Sequence, residues 1–497
     1  MNTDQIYDNI KTNDAAPLPE SMIESLRDIG YTPETAVSDI IDNAIYAKAK
    51  NIWIDFDWNN GQPQIRFTDD GIGMTDEELI LAMRPGSQSP SVERDKNDLG
   101  RFGLGLKTAS FSQCRIFTVI SKKEKSEAVY WRWDIDFVIK HAHGWKILNM
   151  ANPEDIARIE GMKTGTMVVW ENPDRLTGKS KKKNKKKDTE EDDFYKTAAR
   201  VKRHTEMIFH RYIETGKIKI RFNGTDAIAW DPFFRGETAT QPLPECNLEN
   251  GNIKIKPYIL PHRSKITPDI WQESEDRGGW DRLQGFYIYR NERIILAADW
   301  LGFTRKKSHY KLARIMIDLP NHLDHEWQID IKKSSAIPPL SVREDLKAIF
   351  RATVTDAELV YRHRGKETQR TLPKEFTFVW REFEKDKRYY FRINRDHPVI
   401  TELKAKLPDS NKDIERLLRL IEETVPGPTI IARENEYPDG LTSPFDEKSD
   451  DELTGFMKEL LRGWKKQGLS NQDAKHRLLT TEPFSDYPQL IETLTDE

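Results

Sequence analysis

Cysteine is scarce: Cys114 and Cys246 are the only two in 497 residues. Two thiols exclude a disulfide framework and a cysteine-rich zinc site, and they fit a reducing compartment. Long apolar runs are also missing. No stretch approaches the roughly 18 consecutive apolar residues that a membrane span needs, so no membrane partner and a cytoplasmic setting are expected. The opening residues, MNTDQIYDNIKTND, have neither a basic start nor an apolar core and do not read as a signal peptide. An excess of one charge is the third absence. Lys plus Arg is 78 and Asp plus Glu is 82, for a net charge of −4. That excludes a wholly basic nucleic-acid coat protein and an acidic, disordered chain, but leaves room for a local basic face. What is present is ample: 37% hydrophobic and 10% aromatic residues, enough for several cores and about three domains.

Residues 1–18 are polar, end in Ala-Pro-Leu-Pro, and read as an arm. Met22, Ile23, Leu26 and Ile29 recur at helical spacing, and Gly30 ends that helix. Thr32-Pro33 then reads as an N-cap with Pro at the first helical position. The next helix runs from about Glu34 to Lys48, with Val37, Ile40, Ile41 and Ala44 as its apolar stripe. Strands are expected at Asn51–Trp58 and Gln64–Thr68, joined by an Asn60-Gly61 turn. More are expected at Arg115–Ser121, Ala128–Ile135 and Thr166–Trp170. The order predicts a mixed sheet covered by helices on one side, an α+β architecture. Over 178–194 the pattern breaks. Six of the seven residues from Lys181 to Lys187 are lysine, and five of the six from Asp188 to Asp193 are acidic. Such blocks predict a solvated loop, with a nucleic-acid or partner contact as the alternative. After a helix near Thr197–Glu214, a second α+β region is expected. Its strands are Lys217–Phe222, Gln284–Tyr289, Arg293–Leu296, Arg314–Ile317 and Trp327–Ile331. From about Val342 to residue 362 the pattern is helical, and from there to the end it is mixed and mainly helical.

Three motifs carry chemistry. The first is Asp39-Ile40-Ile41-Asp42-Asn43, on the second helix. Asp39 and Asn43 are four apart, so they share a helix face, set opposite the apolar stripe. A carboxylate and a carboxamide there suit water and a metal ion, although most such pairs are ordinary solvated faces. The second is Asp69-Asp70-Gly71-Ile72-Gly73-Met74, just after a strand. Its glycines allow a tight turn and close approach of a flat ligand; a plain turn is the alternative. A calcium loop is excluded, because the bidentate Glu and the ligand spacing are missing. The third is Gly100-Arg101-Phe102-Gly103-Leu104-Gly105-Leu106-Lys107, opening an apolar helix. A glycine-rich run at a helix start aims backbone N–H groups at an anion. It matches neither a P-loop nor a dinucleotide fingerprint.

Together and in this order, the three motifs resemble the nucleotide site of the GHKL ATPases. That superfamily includes gyrase B subunits, heat-shock 90 chaperones, histidine kinases, MutL and microrchidia (Morc) proteins. For residues 19–195 the resemblance implies a Bergerat-type α/β sandwich that binds ATP with Mg²⁺. It implies that Asn43 coordinates Mg²⁺ and that Asp69 accepts the adenine amino group. Gly71, Gly73 and Met74 would line the adenine. Gly100, Arg101, Phe102, Gly103, Leu104, Gly105 and Lys107 would surround the phosphates, with residues 84–104 as the lid. Thr166 would support the adenine side. Where the superfamily carries a Glu general base, this sequence has Asp39, one methylene shorter, which implies slow hydrolysis. Residues 196–345 resemble the transducer domain of the same families. There a lysine reaches the γ-phosphate, and Lys332 and Lys333 are the candidates.

The closest resemblance is to stand-alone Morc- and MutL-like ATPases. A histidine kinase needs a phospho-acceptor helix ahead of this domain, and the first histidine here is His141. The expected function is therefore an ATP-driven switch that dimerises on ATP. It would act on DNA, in repair or in defence against foreign DNA. A heat-shock-90-like remodeller of protein partners and a weakly hydrolysing ATP-sensing scaffold are the alternatives.

Overall fold

Thr32 and Pro33 set the start of the helix that later carries the site. In the computed structural model the Thr32 side chain accepts from the Thr35 amide, Thr35 returns the bond to the Thr32 amide, and Pro33 occupies the first turn. This capping box fixes helix α2 (Pro33–Tyr46), which follows α1 (Pro19–Arg27). The structure describes residues 13, 17–86, 105–141, 144–176, 187–320, 323, 326–328, 336–362, 376–385, 388–427, 429–430 and 450–494. They fall into two compact units, Met1–Leu260 with Pro268–Glu358, and Pro261–Thr267 with Leu359–Glu497.

The first unit begins with β1 (Asn51–Asp57) and β2 (Gln64–Asp69), an antiparallel pair in which Ile52 faces Asp69 and Asp57 faces Gln64. Asn60 and Gly61 make the turn with φ of 54° and 92°, the left-handed conformations such residues adopt readily. Helices α3 (Asp76–Met83) and α4 (Gly105–Gln113) follow, then β3 (Ile116–Lys122), β4 (Val129–Asp134), α5 (Pro153–Glu160) and β5 (Gly165–Glu171). Helix α6 (Lys187–Ile208) leads to β6 (Lys219–Phe222) and β7 (Thr225–Asp226). These strands form one seven-stranded sheet in the order β4-β3-β5-β2-β1-β6-β7. Ile52, Ile54 and Phe56 alternate into the main core with Val37, Ile40 and Ile41 of α2. The opposite face is covered too: Ile159 of α5 packs on Ile120, Met167 and Val169. Helices therefore lie on both faces rather than one, which is why every residue of β5 before Glu171 is buried.

Two sequence expectations shift here. The strand beginning near Lys217 joins this first sheet, parallel to β1, instead of the second region. A parallel neighbour needs a long crossover, and α6 supplies it. The acidic block after Lys187 is not loop but the start of α6, where acidic residues are favourable against the positive end of a helix. The lysines 181–186 lie outside the described residues.

The second sheet has six strands: β8 (Gln241–Pro242), β9 (Cys246–Leu248), β10 (Ile253–Ile259), β11 (Gly285–Arg290), β12 (Arg293–Asp299) and β13 (Ala313–Leu319). Its order is β12-β11-β13-β10-β8, with β9 also on β10. Tyr287, Tyr289, Ile294 and Met316 of this sheet belong to the same core as α2 and β1. The strand expected at Trp327–Ile331 does not start as one. Trp327 and Gln328 lie in a turn, and Gln328 has φ 45°, which no extended strand accommodates. Helix α7 (Leu340–Arg362) follows.

In the second unit, β14 (Trp380–Lys385) and β15 (Arg388–Ile393) form a hairpin where the sequence had mixed periodicity. The rest is helical: α8 (Pro398–Lys406), α9 (Asn411–Thr424), α10 (Asp450–Lys466), α11 (Asn471–Leu479) and α12 (Pro488–Thr493). His397 is structural: its Nδ1 accepts the Val399 amide at the start of α8. Among the described residues no helix is long and apolar enough to cross a membrane. Met457, Trp464, Leu478 and Phe484 centre this unit's core, and the Arg477 guanidinium lies 4.7 Å from the Trp464 ring centroid. Trp464→Ala is expected to remove about 3–5 kcal/mol from this unit, read as a lower urea midpoint.

Candidate functional site

Helix α2 buries more charge than its sequence suggests. Asp39 and Asp42 are both at most 3% exposed, whereas Asn43 lies at the surface. The solvated face expected for Asp39 is thus closed. What closes it is Arg293, the first residue of β12, itself buried. Its Nε lies 2.8 Å from Asp42 Oδ1 and its Nη2 lies 3.9 Å from Asp39 Oδ1. Its Nε and Nη1 make no hydrogen bond, so the pairing of Nε with Asp42 is chiefly of charge. Two carboxylates one turn apart would repel in a dry interior, and a buried cation between them offsets that. The other oxygen of Asp39, Oδ2, accepts the Tyr31 hydroxyl at 2.8 Å. Burial beside Asp39 pushes the Tyr31 phenol well above its ordinary pKa, so Tyr31 stays a donor.

Helix α4 closes on the same carboxylate. A Cβ added to Gly105 would stand 3.5 Å from Asp39 Oδ2, in ordinary contact. Lys107, two residues on, is buried, and its ammonium donates to the Ala82 carbonyl in the last turn of α3 at 3.0 Å. Desolvation lowers its pKa to about 8. Gly100, Arg101, Phe102, Gly103 and Leu104 lie outside the described residues, as do Lys332 and Lys333.

The second cluster sits where β2 ends. The two aspartates there differ. Asp70 is consumed by structure: its carboxylate accepts the Lys50 and Asn51 amides and the Asn51 side chain, at 2.7–2.8 Å. Asp69 is half-buried and receives the Gly71 amide on Oδ1 at 2.8 Å. Desolvation raises its pKa to about 7, held back by the Gly71 and Thr166 amides. Asp69 pairs with Thr166 in the β2–β5 register. The Thr166 hydroxyl is 2.8 Å from the Ser121 hydroxyl, which also accepts the Met74 amide at 2.9 Å. Gly73 must be glycine: φ is +67°, and a Cβ would lie 1.9 Å from the Lys122 carbonyl oxygen.

The structure therefore brings Asp69, Gly71, Gly73, Met74 and Thr166 together at one end of the sheet, and Asp39, Gly105 and Lys107 at the α2–α4 contact. Sequence reasoning missed Tyr31, Ser121 and Arg293. Tyr31 sits beside the Thr32 cap and was discoverable. Nothing in the linear sequence couples Arg293 to α2.

Residues 31–166 match a family model described as histidine kinase-, DNA gyrase B-, and HSP90-like ATPase. Residues 31–166 are thus similar to the GHKL ATPases. The chain's relatives include the ATPase morc-1 of Caenorhabditis elegans, 29% identical over 124 residues, which is 25% of this chain and 14% of that protein. The DNA mismatch repair protein MutL of Thermotoga maritima is 30% identical over 112 residues, 22% of each chain. MutL of Dictyoglomus turgidum is 34% identical over 100 residues, 20% of this chain and 17% of that one. The chain thus spans less than a quarter of the length of each of these relatives.

Arg293→Met leaves Asp39 and Asp42 without this cation and is expected to lower stability by roughly 3–5 kcal/mol; adding Asp42→Asn should recover part of it. An unchanged unfolding midpoint in Arg293→Met would remove the ion pair as a structural element. For Asp69 the folded pKa is the higher one, so its stabilising share is complete below about pH 4 and is lost as pH rises towards 7. Asp69→Asn keeps an acceptor for the Gly71 amide and abolishes that loss. Its urea midpoint should gain on the parent between pH 4 and 7 and stay level above.

Proposed function

We propose that the chain is a slow, Mg²⁺-dependent ATPase that dimerises on ATP and works as a DNA-acting clamp or switch in the cytoplasm. The observation that carries the ATP reading is the Asp69 corner: a half-buried carboxylate opposite Thr166, beside a glycine turn that no side chain can enter. Asp69 accepts the exocyclic amine of adenine, and Gly71, Gly73 and Met74 give the ring a flat backbone wall. Thr166 and Ser121 hold the far side through their paired hydroxyls.

Among the described residues no group of three or more His, Cys, Asp or Glu is placed to hold a metal. That suits Mg²⁺, which takes one or two protein oxygens and otherwise keeps water and substrate phosphates. Asn43, exposed on α2, offers its carboxamide oxygen; Asp39 and Asp42 already face Arg293. The bound ion would neutralise phosphate charge. Gly105 and the preceding glycines present amides to the phosphates, and Lys107 lies next to them. Either Lys332 or Lys333 meets the γ-phosphate.

In hydrolysis, water attacks the γ-phosphorus, the bond to the bridging β–γ oxygen breaks, and Asp39 takes the water's proton. A general base must be within hydrogen-bond reach of that water. Asp39 is short, buried and engaged by Tyr31 and Arg293, which supports slow turnover. The same engagement supports a second reading, an ATP-sensing scaffold with little hydrolysis. DNA as the client rests on the mismatch-repair relatives, with repair or defence against foreign DNA as the setting; a protein client, as for a heat-shock-90-like remodeller, is the contrasting outcome.

Asp39→Ala should lower ATP turnover by about 10²–10⁴-fold while leaving ATP binding nearly intact. Asn43→Ala should instead lose Mg²⁺-dependent ATP binding. Full turnover in Asp39→Ala removes it as the base, and full Mg-ATP affinity in Asn43→Ala overturns the site assignment. Mass by light scattering, with and without a non-hydrolysable ATP analogue, reads the dimerisation. Duplex DNA and unfolded protein, added separately to the ATPase assay, distinguish the clients.

A further inference from the structure

The hairpin of the second unit carries a face that ATP chemistry does not use. Its register pairs Arg381 with Arg392, Phe383 with Tyr390, and Lys385 with Arg388. Residues two apart on a strand share a face, so the Arg381–Arg392 and Phe383–Tyr390 pairs line one face and Trp380 and Ile393 belong to the other. That second face is anchored: Ile393 is buried with Ile400, Ile414 and Leu418, and Trp380 packs against them. On the first face Phe383 and Tyr390 are exposed and stacked, with centroids 5.4 Å apart and planes within 13°. The Arg392 guanidinium lies 5.1 Å from the Tyr390 ring centroid. Arg381 is exposed, 3.2 Å from the equally exposed Asp396, a contact of little worth in water.

Like charges directly opposite each other across a strand pair are destabilising. This face places one such pair, Arg381 and Arg392, next to the aromatic pair. An anion lying along the hairpin would relieve this cationic pair, and the aromatic pair offers it a flat apolar step. A pocket of about 360 Å³ reaches both faces, lined by Arg381 and Phe383 of the first and Trp380 of the second, together with Phe376, Thr377 and Phe378. That is within the range of small-ligand sites.

We propose that this face binds single-stranded nucleic acid. Its bases stack on Phe383 and Tyr390, one of them entering the adjoining pocket, and its phosphates meet Arg381 and Arg392. A ligand that alternates negative charge with flat rings fits the alternation of cations and aromatics. A duplex keeps its ring faces stacked away, and an acidic peptide has charge without rings. The site uses none of residues 31–166, so it stands or falls apart from the ATP reading.

The test is fluorescence anisotropy of the full chain with labelled oligo-dT, a duplex of equal length, and polyglutamate, each at several salt concentrations. Oligo-dT is expected to bind tightest. Phe383→Ala with Tyr390→Ala should weaken it about 5- to 150-fold for each base stacked, and Phe383→Trp should retain it. Arg381→Gln with Arg392→Gln should reduce the dependence of log affinity on log salt by about 0.7 for each phosphate no longer neutralised. All four side chains are exposed, so unfolding midpoints and ATP turnover without nucleic acid should match the parent. Unchanged oligo-dT affinity in both sets of variants overturns the proposal. So does binding of the duplex or of polyglutamate as tightly as oligo-dT. Loss of ATP turnover in the parent, with oligo-dT binding intact, would count against the ATP reading alone.

Discussion

The constraint on which the first unit turns is the burial of two carboxylates on one helix. Helix α2 must pack Val37, Ile40 and Ile41 into the core, yet it also carries Asp39 and Asp42 on turns that are closed to solvent. An isolated buried carboxylate is expensive, and two of them are more so. The chain meets this with a cation from a different sheet. Arg293 reaches from the first residue of β12 to both acids, and Tyr31 takes the remaining Asp39 oxygen. The consequence is architectural: the seven-stranded sheet and the six-stranded sheet are joined in one core that includes Ile40, Tyr289 and Ile294. A shift of β12 would therefore be felt at the carboxylates of α2.

The other end of the site is governed by backbone rather than charge. At the β2–α3 turn the chain runs so close to the Lys122 carbonyl that only glycine fits at position 73. Asp70 ties the turn to the start of β1 through three hydrogen bonds. That division of labour leaves the neighbouring Asp69 as the acid with a raised pKa, set against Thr166. A perturbed carboxylate in a rigid turn is the pattern expected of a group held ready for a ligand rather than for stability.

In the second unit, charge is handled differently. The hairpin's inner face packs on helices, and the outer face leaves arginines and aromatic rings in water. Stability would favour alternating signs there; the arrangement makes sense as a surface that expects an anion.

Much of this was legible in the sequence. The Thr32-Pro33 start, the Asn60-Gly61 turn, the strand alternation of Asn51–Asp57 and the three motifs are local signals, governed by backbone conformations and side-chain periods that act over a few residues. The resemblance to the GHKL ATPases was recognisable from them alone, and so was the α+β class. The tertiary structure decided what local signals cannot carry. It placed β6 beside β1 through a crossover, turned the acidic block into the head of α6, and put helices on both faces of the first sheet. It also buried Asp39, which the helix period had set opposite the apolar stripe. A helix period reports which residues share a face, but not what covers that face. Here the cover is Arg293, far along the chain on another sheet, and a charge pair between such distant positions exists only once both sheets have folded into one core.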